Sequence, residues 1–179
     1  MALEQAILVS LAEKSATGYD LARRFDASIG HFWKATHQQI YRVLARMDGD
    51  GWVTSEAIAQ EGRPDKKVYA ITDLGLSELR LWTSKGTPVE RLRSEFAVKL
   101  RALPFGDPDA ILDDIRVRRR AHEQQLAYYL ESAERFYPDP SALGPDVLGA
   151  YLVLRGGILA EQGGLAWCDE ILQALEAER

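Results

Sequence analysis

Between Thr36 and Ile71 the apolar pattern changes period once, from that of a helix to that of a strand, and this fixes what the first half of the chain can build. Ile40, Val43, Leu44 and Met47 recur at the three- and four-residue spacing of one helical face. Gln38, Arg42 and Ala45 fall on the opposite face, flanked by Gln39, Tyr41 and Arg46. Asp48-Gly49-Asp50-Gly51 stops the helix. Trp52–Ala59 and Lys66–Ile71 then read as two strands joined by a turn at Gly62-Arg63-Pro64-Asp65, hence a hairpin.

Two shorter helical patterns come first. One runs from about Leu3 to Glu13, with Ile7, Leu8 and Leu11 on one face. The other starts at Thr17, a capping residue with Asp20 three positions on, ahead of Leu21, Ala22 and Phe25. After the hairpin, Thr72-Asp73 caps a fourth helix whose Leu76, Leu79 and Trp82 can fold back on the others. Three helices and a two-stranded wing form the winged helix-turn-helix order, in which the third helix enters the DNA major groove and the hairpin reaches the phosphates or the minor groove. The candidate DNA contacts are therefore Thr36, His37, Gln38, Gln39, Tyr41 and Arg42 on the third helix, with Arg63, Lys66 and Lys67 on the wing. A basic turn that is merely solvated is the competing reading of those three cations.

Charge must be read by position. The 179 residues carry a formal net charge of −5, which argues against a nucleic-acid partner until the chain is divided. Residues 1–85 hold 11 Lys+Arg and 11 Asp+Glu, whereas residues 86–179 hold 11 and 16. Even the first half is not basic overall, so DNA binding must rest on where its cations sit.

With 46% apolar and 27% charged residues, the chain has the composition of a globular protein with one or two cores. The lone Cys168 excludes an intramolecular disulfide and points to a reducing compartment. No apolar run reaches the roughly 18 residues of a membrane span, and Met1-Ala-Leu-Glu-Gln lacks a signal peptide's basic and apolar regions, so the expected location is the cytoplasm. His31, His37 and His122 have no ligand-type spacing, so neither a metal nor a cofactor is expected. Gly75-Leu76-Ser77-Glu78-Leu79 lacks the final glycine of a nucleophile elbow, and the chain does not read as an enzyme.

Ser84-Lys85-Gly86-Thr87-Pro88 marks the boundary between a winged domain, residues 1–85, and an all-helical domain, residues 86–179. The fold class is mainly helical, α+β. Asp107 and Pro108 start a helix that can run to Phe136, with a seam at Ile111, Ile115, His122, Leu126, Tyr129, Ala133 and Phe136. Pro145 opens a last helix too apolar to stand alone, which packs on the long helix or on a second subunit. Gly156-Gly157 and Gly163-Gly164, one heptad apart, imply close helix approach or a kink; close packing at a dimer seam is favoured. Leu126, Tyr129, Leu152, Gly156, Gly157, Ile158, Gly163 and Gly164 are the expected dimerisation residues. Arg118-Arg119-Arg120 reads as a solvated face paired with Asp114 and Glu123 rather than a second nucleic-acid patch. Cys168, beside Trp167, reads as packed and inert rather than redox-sensing. Trp33, Trp82 and Trp167 are core residues or the lining of an effector site.

The sequence resembles the PadR family of transcriptional regulators. Ser10-Leu11-Ala12-Glu13, Gly18-Tyr19-Asp20-Leu21, Gln39-Ile40-Tyr41-Arg42-Val43-Leu44, Asp50-Gly51-Trp52-Val53, Gly62-Arg63-Pro64-Asp65-Lys66-Lys67-Val68-Tyr69 and Ile71-Thr72-Asp73-Leu74-Gly75 carry the likeness, in order and at the right spacing. Phe96-Ala97-Val98-Lys99-Leu100 and the terminal Gly-Gly-Ile-Leu-Ala-Glu to Trp167-Cys168-Asp169-Glu170 pattern resemble the longer form, with a helical domain like that of the virulence activator AphA. The resemblance implies a homodimer on a palindromic operator, usually as a repressor. It also implies that Tyr19 and Tyr41 donate to phosphates, and that a small aromatic or hydrophobic effector releases the DNA. A dimeric winged-helix module that binds protein and does not read DNA is the alternative.

Overall fold

The computed structural model describes residues 2–27, 35–60, 63–89 and 94–177. The chain divides into two compact units, Met1–Glu90 and Arg91–Arg179. Trp33 and His31 lie outside the described residues, as does Gly62 of the expected turn.

The first unit contains α1 (Ala2–Glu13), β1 (Ala16–Thr17), α2 (Gly18–Ala27), α3 (His37–Gly49), β2 (Val53–Gln60), β3 (Arg63–Ile71) and α4 (Asp73–Thr83). Its core is the set that the helical spacing selected: Ile7, Leu8 and Leu11 of α1, Leu21, Ala22 and Phe25 of α2, and Ile40, Leu44 and Met47 of α3, all buried. Val53 and Tyr69 close it from the sheet. Burying each such side chain contributes about 1.5–3 kcal/mol, so this cluster fixes the three helices against one another.

The sheet differs from the expected hairpin in two ways. It has three antiparallel strands in the order β1-β3-β2, because Ala16 and Thr17 pair with Tyr69 and Val68. The second wing strand is also longer than expected, since Arg63, Pro64 and Asp65 belong to β3 and not to the turn. Between the pairs Ile58↔Lys66 and Gln60↔Arg63, Pro64 and Asp65 together oppose Ala59, which makes a bulge on β3. A bulge leaves a residue out of the ladder, so it can accept a proline that has no N–H to donate.

Two residues shape the turns into and out of the wing strands. Gly51 has φ +74°, the left-handed conformation that turns the chain out of α3 and into β2. Thr72 caps α4, accepting from the Gly75 N–H at 3.0 Å while its hydroxyl donates to Gly51 O at 2.7 Å. Leu79 of α4 packs on the core, whereas Trp82, expected to fold back, is about two-fifths exposed.

The second unit is helical. It comprises α5 (Glu95–Arg101), α6 (Pro108–Phe136) and α7 (Pro145–Ala177), with single 3-10 turns at Leu103–Phe105 and Pro140–Ala142. Asp107 caps α6 by accepting from the Asp109 N–H at 3.0 Å. Phe96, Ile111, Ile115 and Cys168 form the buried cluster of this unit. Helix α7 runs without interruption through all four glycines of its two pairs, so they do not break it. Phe136, at the end of the expected seam, is exposed. No described helix is long and apolar enough to cross a membrane.

Candidate nucleic-acid interface

Helix α3 presents a polar face because its other face is spent in the core. With Ile40, Leu44 and Met47 buried, His37, Gln38, Tyr41, Arg42, Ala45 and Arg46 are exposed. Its start is fixed by a capping box: the Gln39 N–H donates to Thr36 Oγ1 at 3.2 Å, and the Thr36 N–H donates to Gln39 Oε1 at 2.8 Å. Two of the expected DNA contacts therefore have a structural role already. The amide oxygen of Gln39 is used within the cap, which leaves its NH2 group as the part able to meet a partner. The Thr-x-x-Gln spacing is itself the signal for this box.

Tyr41 projects from α3 onto the first turn of α2. A Cβ on Gly18 would lie 2.3 Å from Tyr41 Cε1, so the absence of a side chain at residue 18 makes room for the ring. Next to it, Tyr19 is 59% exposed, and the two phenols flank the same helix start. That start is held by Thr17, which accepts from the Asp20 N–H at 3.0 Å and donates its hydroxyl to Asp20 Oδ2 at 2.7 Å. The Thr17 hydroxyl holds the Asp20 carboxyl below the usual carboxylate range, assisted by the charge of Lys66.

Two of the cations expected on the wing, Lys66 and Lys67, are each paired with a carboxylate. Lys67 Nζ lies 3.1 Å from Asp48 Oδ2, at the end of α3, and 5.2 Å from the centre of the Tyr69 ring. Asp48 also accepts from the Ser55 hydroxyl at 2.7 Å. The Ser55 hydroxyl and then Lys67 keep the Asp48 carboxyl below its ordinary range, and the same contact raises the pKa of Lys67. Lys66 Nζ lies 3.7 Å from Asp20 Oδ2. Arg63 opens β3. On α3 itself Arg46 pairs with the buried Glu4 of α1. Sequence reading missed all three carboxylates, because each is more than 15 residues from its cation and belongs to another element.

In the second unit the expected dimerisation residues separate into two groups. Tyr129 and Ile158 are buried. Gly157 lies under the Tyr129 ring, where a Cβ would be 3.0 Å from Cε2, and Gly164 lies under His122. For these residues the close approach within the chain is between α6 and α7. Leu126 is half-buried with them. Leu152, by contrast, is exposed, and a Cβ on Gly156 or Gly163 would meet nothing within 4 Å. The arginine run is tied down as expected, with Arg118 3.2 Å from Asp114 and Arg119 3.3 Å from Glu123. Arg119 in addition reaches Asp169 of α7 at 2.6 Å.

Trp167 packs edge-on against Phe96 at 5.4 Å between ring centres, and Arg118 lies 4.2 Å over the same Phe96 ring. Trp82 and Trp167 are both about two-fifths exposed. Cys168 is buried, and burial followed by the charge of Asp169 pushes its thiol pKa up, the opposite of what a reactive thiolate needs. Among the described residues no group of three His, Cys, Asp or Glu is placed to hold a metal.

Comparison with known proteins gives the same division. Residues 7–81 match the transcriptional regulator PadR-like family, and residues 92–176 match the virulence activator alpha C-term family. The chain is 46% identical to the probable transcriptional regulator Rv1176c of Mycobacterium tuberculosis, covering 100% of both. It is 29% identical to the negative transcriptional regulator PadR of Bacillus subtilis, covering 98% of each. The crystal structure of that protein with operator DNA matches with a TM-score of 0.85 at 28% identity, covering 98% of this chain and 99% of that one. Its structure with p-coumaric acid matches at 0.81, with the same identity and coverage. The Vibrio cholerae virulence activator AphA matches with a TM-score of 0.81 at 34% identity, over 99% of each chain.

Proposed function

The chain belongs to the PadR-like family of transcriptional regulators, not to a family of enzymes, and we propose that it acts as a cytoplasmic homodimer that binds a palindromic operator and represses the adjoining gene. The outer face of α3 carries this reading: His37, Gln38, Tyr41 and Arg42 stand exposed on a helix that is capped at its start and anchored in the core behind. Gln38 and Arg42 are the base-reading groups, since an amide and a guanidinium match the edges of adenine and guanine in the major groove. Tyr19, Tyr41, Arg63, Lys66 and Lys67 meet phosphates of the operator. Support comes from the Bacillus subtilis relative, described as a negative regulator and crystallised with operator DNA.

A second copy docks on the outer face of α7. Leu152, Gly156, Leu159 and Gly163 follow one another at gaps of four, three and four residues, all exposed and all opposite the face that meets α6. A palindromic operator requires a pair of α3 helices about one DNA turn, ~34 Å, apart, and hence a dimer.

Release is by a planar aromatic acid or a similar apolar molecule. The relative bound to p-coumaric acid supports this class, and Trp82 and Trp167, each about two-fifths exposed, are aromatic groups able to meet it.

A gel shift with the DNA upstream of the protein's own gene, competed by an unrelated duplex, tests the reading. Upstream DNA should win, and Gln38→Ala or Arg42→Ala should lower that preference by about 1–3 kcal/mol for each base no longer read. Equal competition would replace it with a winged-helix module that binds protein.

A further inference from the structure

Three cations of the winged unit, Lys66, Lys67 and Arg46, are already paired with carboxylates of the same unit. Successive side chains of a strand leave from opposite faces. Lys66 and Lys67 accordingly reach different helices: Lys66 goes to Asp20 on α2 at 3.7 Å and Lys67 to Asp48 on α3 at 3.1 Å. Arg46 is paired in the same way with Glu4 of α1. A lysine that only had to meet phosphate would need no carboxylate beside it. These carboxylates, moreover, are held ionised by separate donors, the Thr17 hydroxyl on Asp20 and the Ser55 hydroxyl on Asp48, each at 2.7 Å. The equal count of cations and carboxylates over residues 1–85 thus includes the matched pairs Lys66–Asp20, Lys67–Asp48 and Arg46–Glu4, and is not only an average over unrelated positions.

We propose that Asp20 and Asp48 are specificity-determining residues, intramolecular counterions that keep Lys66 and Lys67 from phosphate on unrelated DNA and give them up only on the operator. This rests on the reading of the unit as DNA-binding. Moving a lysine from a carboxylate at 3.1 Å to a phosphate gains little unless the phosphate is held equally close. Loose, sliding association does not hold it so. Base contacts from α3 fix the register that brings a particular phosphate to each lysine, and the exchange then becomes favourable. Sequence-independent attraction, which counts every available cation, is correspondingly weak, and the operator complex alone uses the full set.

The test measures binding of the full-length protein to a random-sequence duplex and to the upstream fragment across a range of salt concentrations. Each lysine that neutralises a phosphate adds about 0.9 to the slope of log affinity against log salt. For Asp48→Asn or Asp20→Asn, the slope on random duplex should steepen by about 0.9 per freed lysine, and its affinity at low salt should rise roughly two- to fivefold, the size of an exposed ion pair. The slope on the upstream fragment should not change, so discrimination between the two DNAs falls. Two controls isolate the pair from simple removal of negative charge. Asp50→Asn, an exposed neighbour with no ion pair among the described residues, should have no such effect, and Asp48→Asn should lose its effect in a Lys67→Ala background. Thermal melting verifies that each variant is folded, and the two aspartates provide independent trials. An unchanged slope on random duplex for both variants, or an equal change with Asp50→Asn, overturns the proposal alone. Weaker binding to both DNAs overturns it in favour of aspartates that aim the lysines at phosphate. Failure of the wild type and every variant to bind either DNA overturns the DNA-binding reading and the proposal with it.

Discussion

The imidazole of His122 on α6 lies flat against Gly164 on α7, where a Cβ would fall 2.6 Å from its Cε1 and 2.8 Å from its Nδ1. The ring cannot simply swing aside, because Nδ1 stands 2.5 Å from Glu161 Oε2. Gly164→Ala should therefore lower stability by about 1–3 kcal/mol, the usual range for overpacking. His122→Ala in the same chain should recover most of that deficit. Urea unfolding of the two single variants and the double variant gives the coupling energy, and additive effects would mean that the ring is not what Gly164 accommodates.

Where the sequence carries a period, it predicts the structure well. The core stripe of α3, the caps at Thr17, Thr72 and Asp107, and the span of α6 all followed from local spacing or from a residue type with one strong use. Strand β1 did not, because two residues hold no period and their pairing with Tyr69 and Val68 is decided some 50 residues away. The wing turn was misplaced for a related reason: Pro64 reads as a breaker, and only the register across the ladder reveals a bulge that tolerates it. Gly157 and Gly164 signalled close approach correctly, but spacing alone does not say which helix approaches. In the candidate site, exposure of Gln38 and Arg42 was legible from α3's own pattern. The carboxylates on Lys66, Lys67 and Arg46 were not, since ion pairs between elements leave no trace in local sequence.

Gly18 and Tyr41 offer a way to separate folding from binding. The atom that a Cβ at residue 18 would meet is in the ring of a side chain that is 45% exposed, so Gly18→Ala displaces Tyr41 at little cost to the core. Melting temperature should scarcely move, while affinity for the upstream DNA should fall by about 1 kcal/mol, the net value of one hydrogen bond. A Tyr41→Phe variant that binds as well as wild type would remove the phosphate contact from the docking scheme.

Asp48 and Lys67 make stability depend on pH at both extremes. The Asp48 carboxyl is held low in the folded protein, so its contribution is complete above the unfolded value of about 3.9 and is lost as pH falls through the lower folded value. Lys67 is held high, so its contribution is complete below its unfolded value of about 10.4 and disappears as pH rises through the folded one. The melting-temperature gap between wild type and Asp48→Asn should accordingly be flat across neutral pH and close below about pH 4. A gap that persists at pH 2 would show that Asp48 acts by shape and not by charge.

Cys168 should behave as a core residue. It is buried beside Phe96, Ile111 and Ile115, and its raised thiol pKa leaves little thiolate near neutral pH. Iodoacetamide should modify it only as fast as the helical unit opens, and readily in urea. Rapid native-state labelling, or abolished DNA binding after mild peroxide treatment, would instead make it a redox sensor.

Dimerisation by α7 makes the most demanding prediction, because it requires one face of a helix to be nearly free of effects on folding. Leu152 and Leu159 are each 56% exposed in the single chain, and they lie opposite the Ile158 and Cys168 side that is buried. A Leu152→Glu, Leu159→Glu double variant leaves the packing of α7 on α6 in place. It does put two charges in the centre of the proposed interface, where burying them without partners would cost several kcal/mol. Light scattering at micromolar concentration should show a dimer for the wild type and a monomer for the double variant, with helical circular dichroism preserved in both. Operator affinity should collapse while binding of a half-site remains, because each α3 keeps its own base contacts and is deprived only of its tether to the other. A double variant that stays dimeric would move the subunit interface to another surface, and a wild type that is monomeric would leave the palindrome without a physical basis.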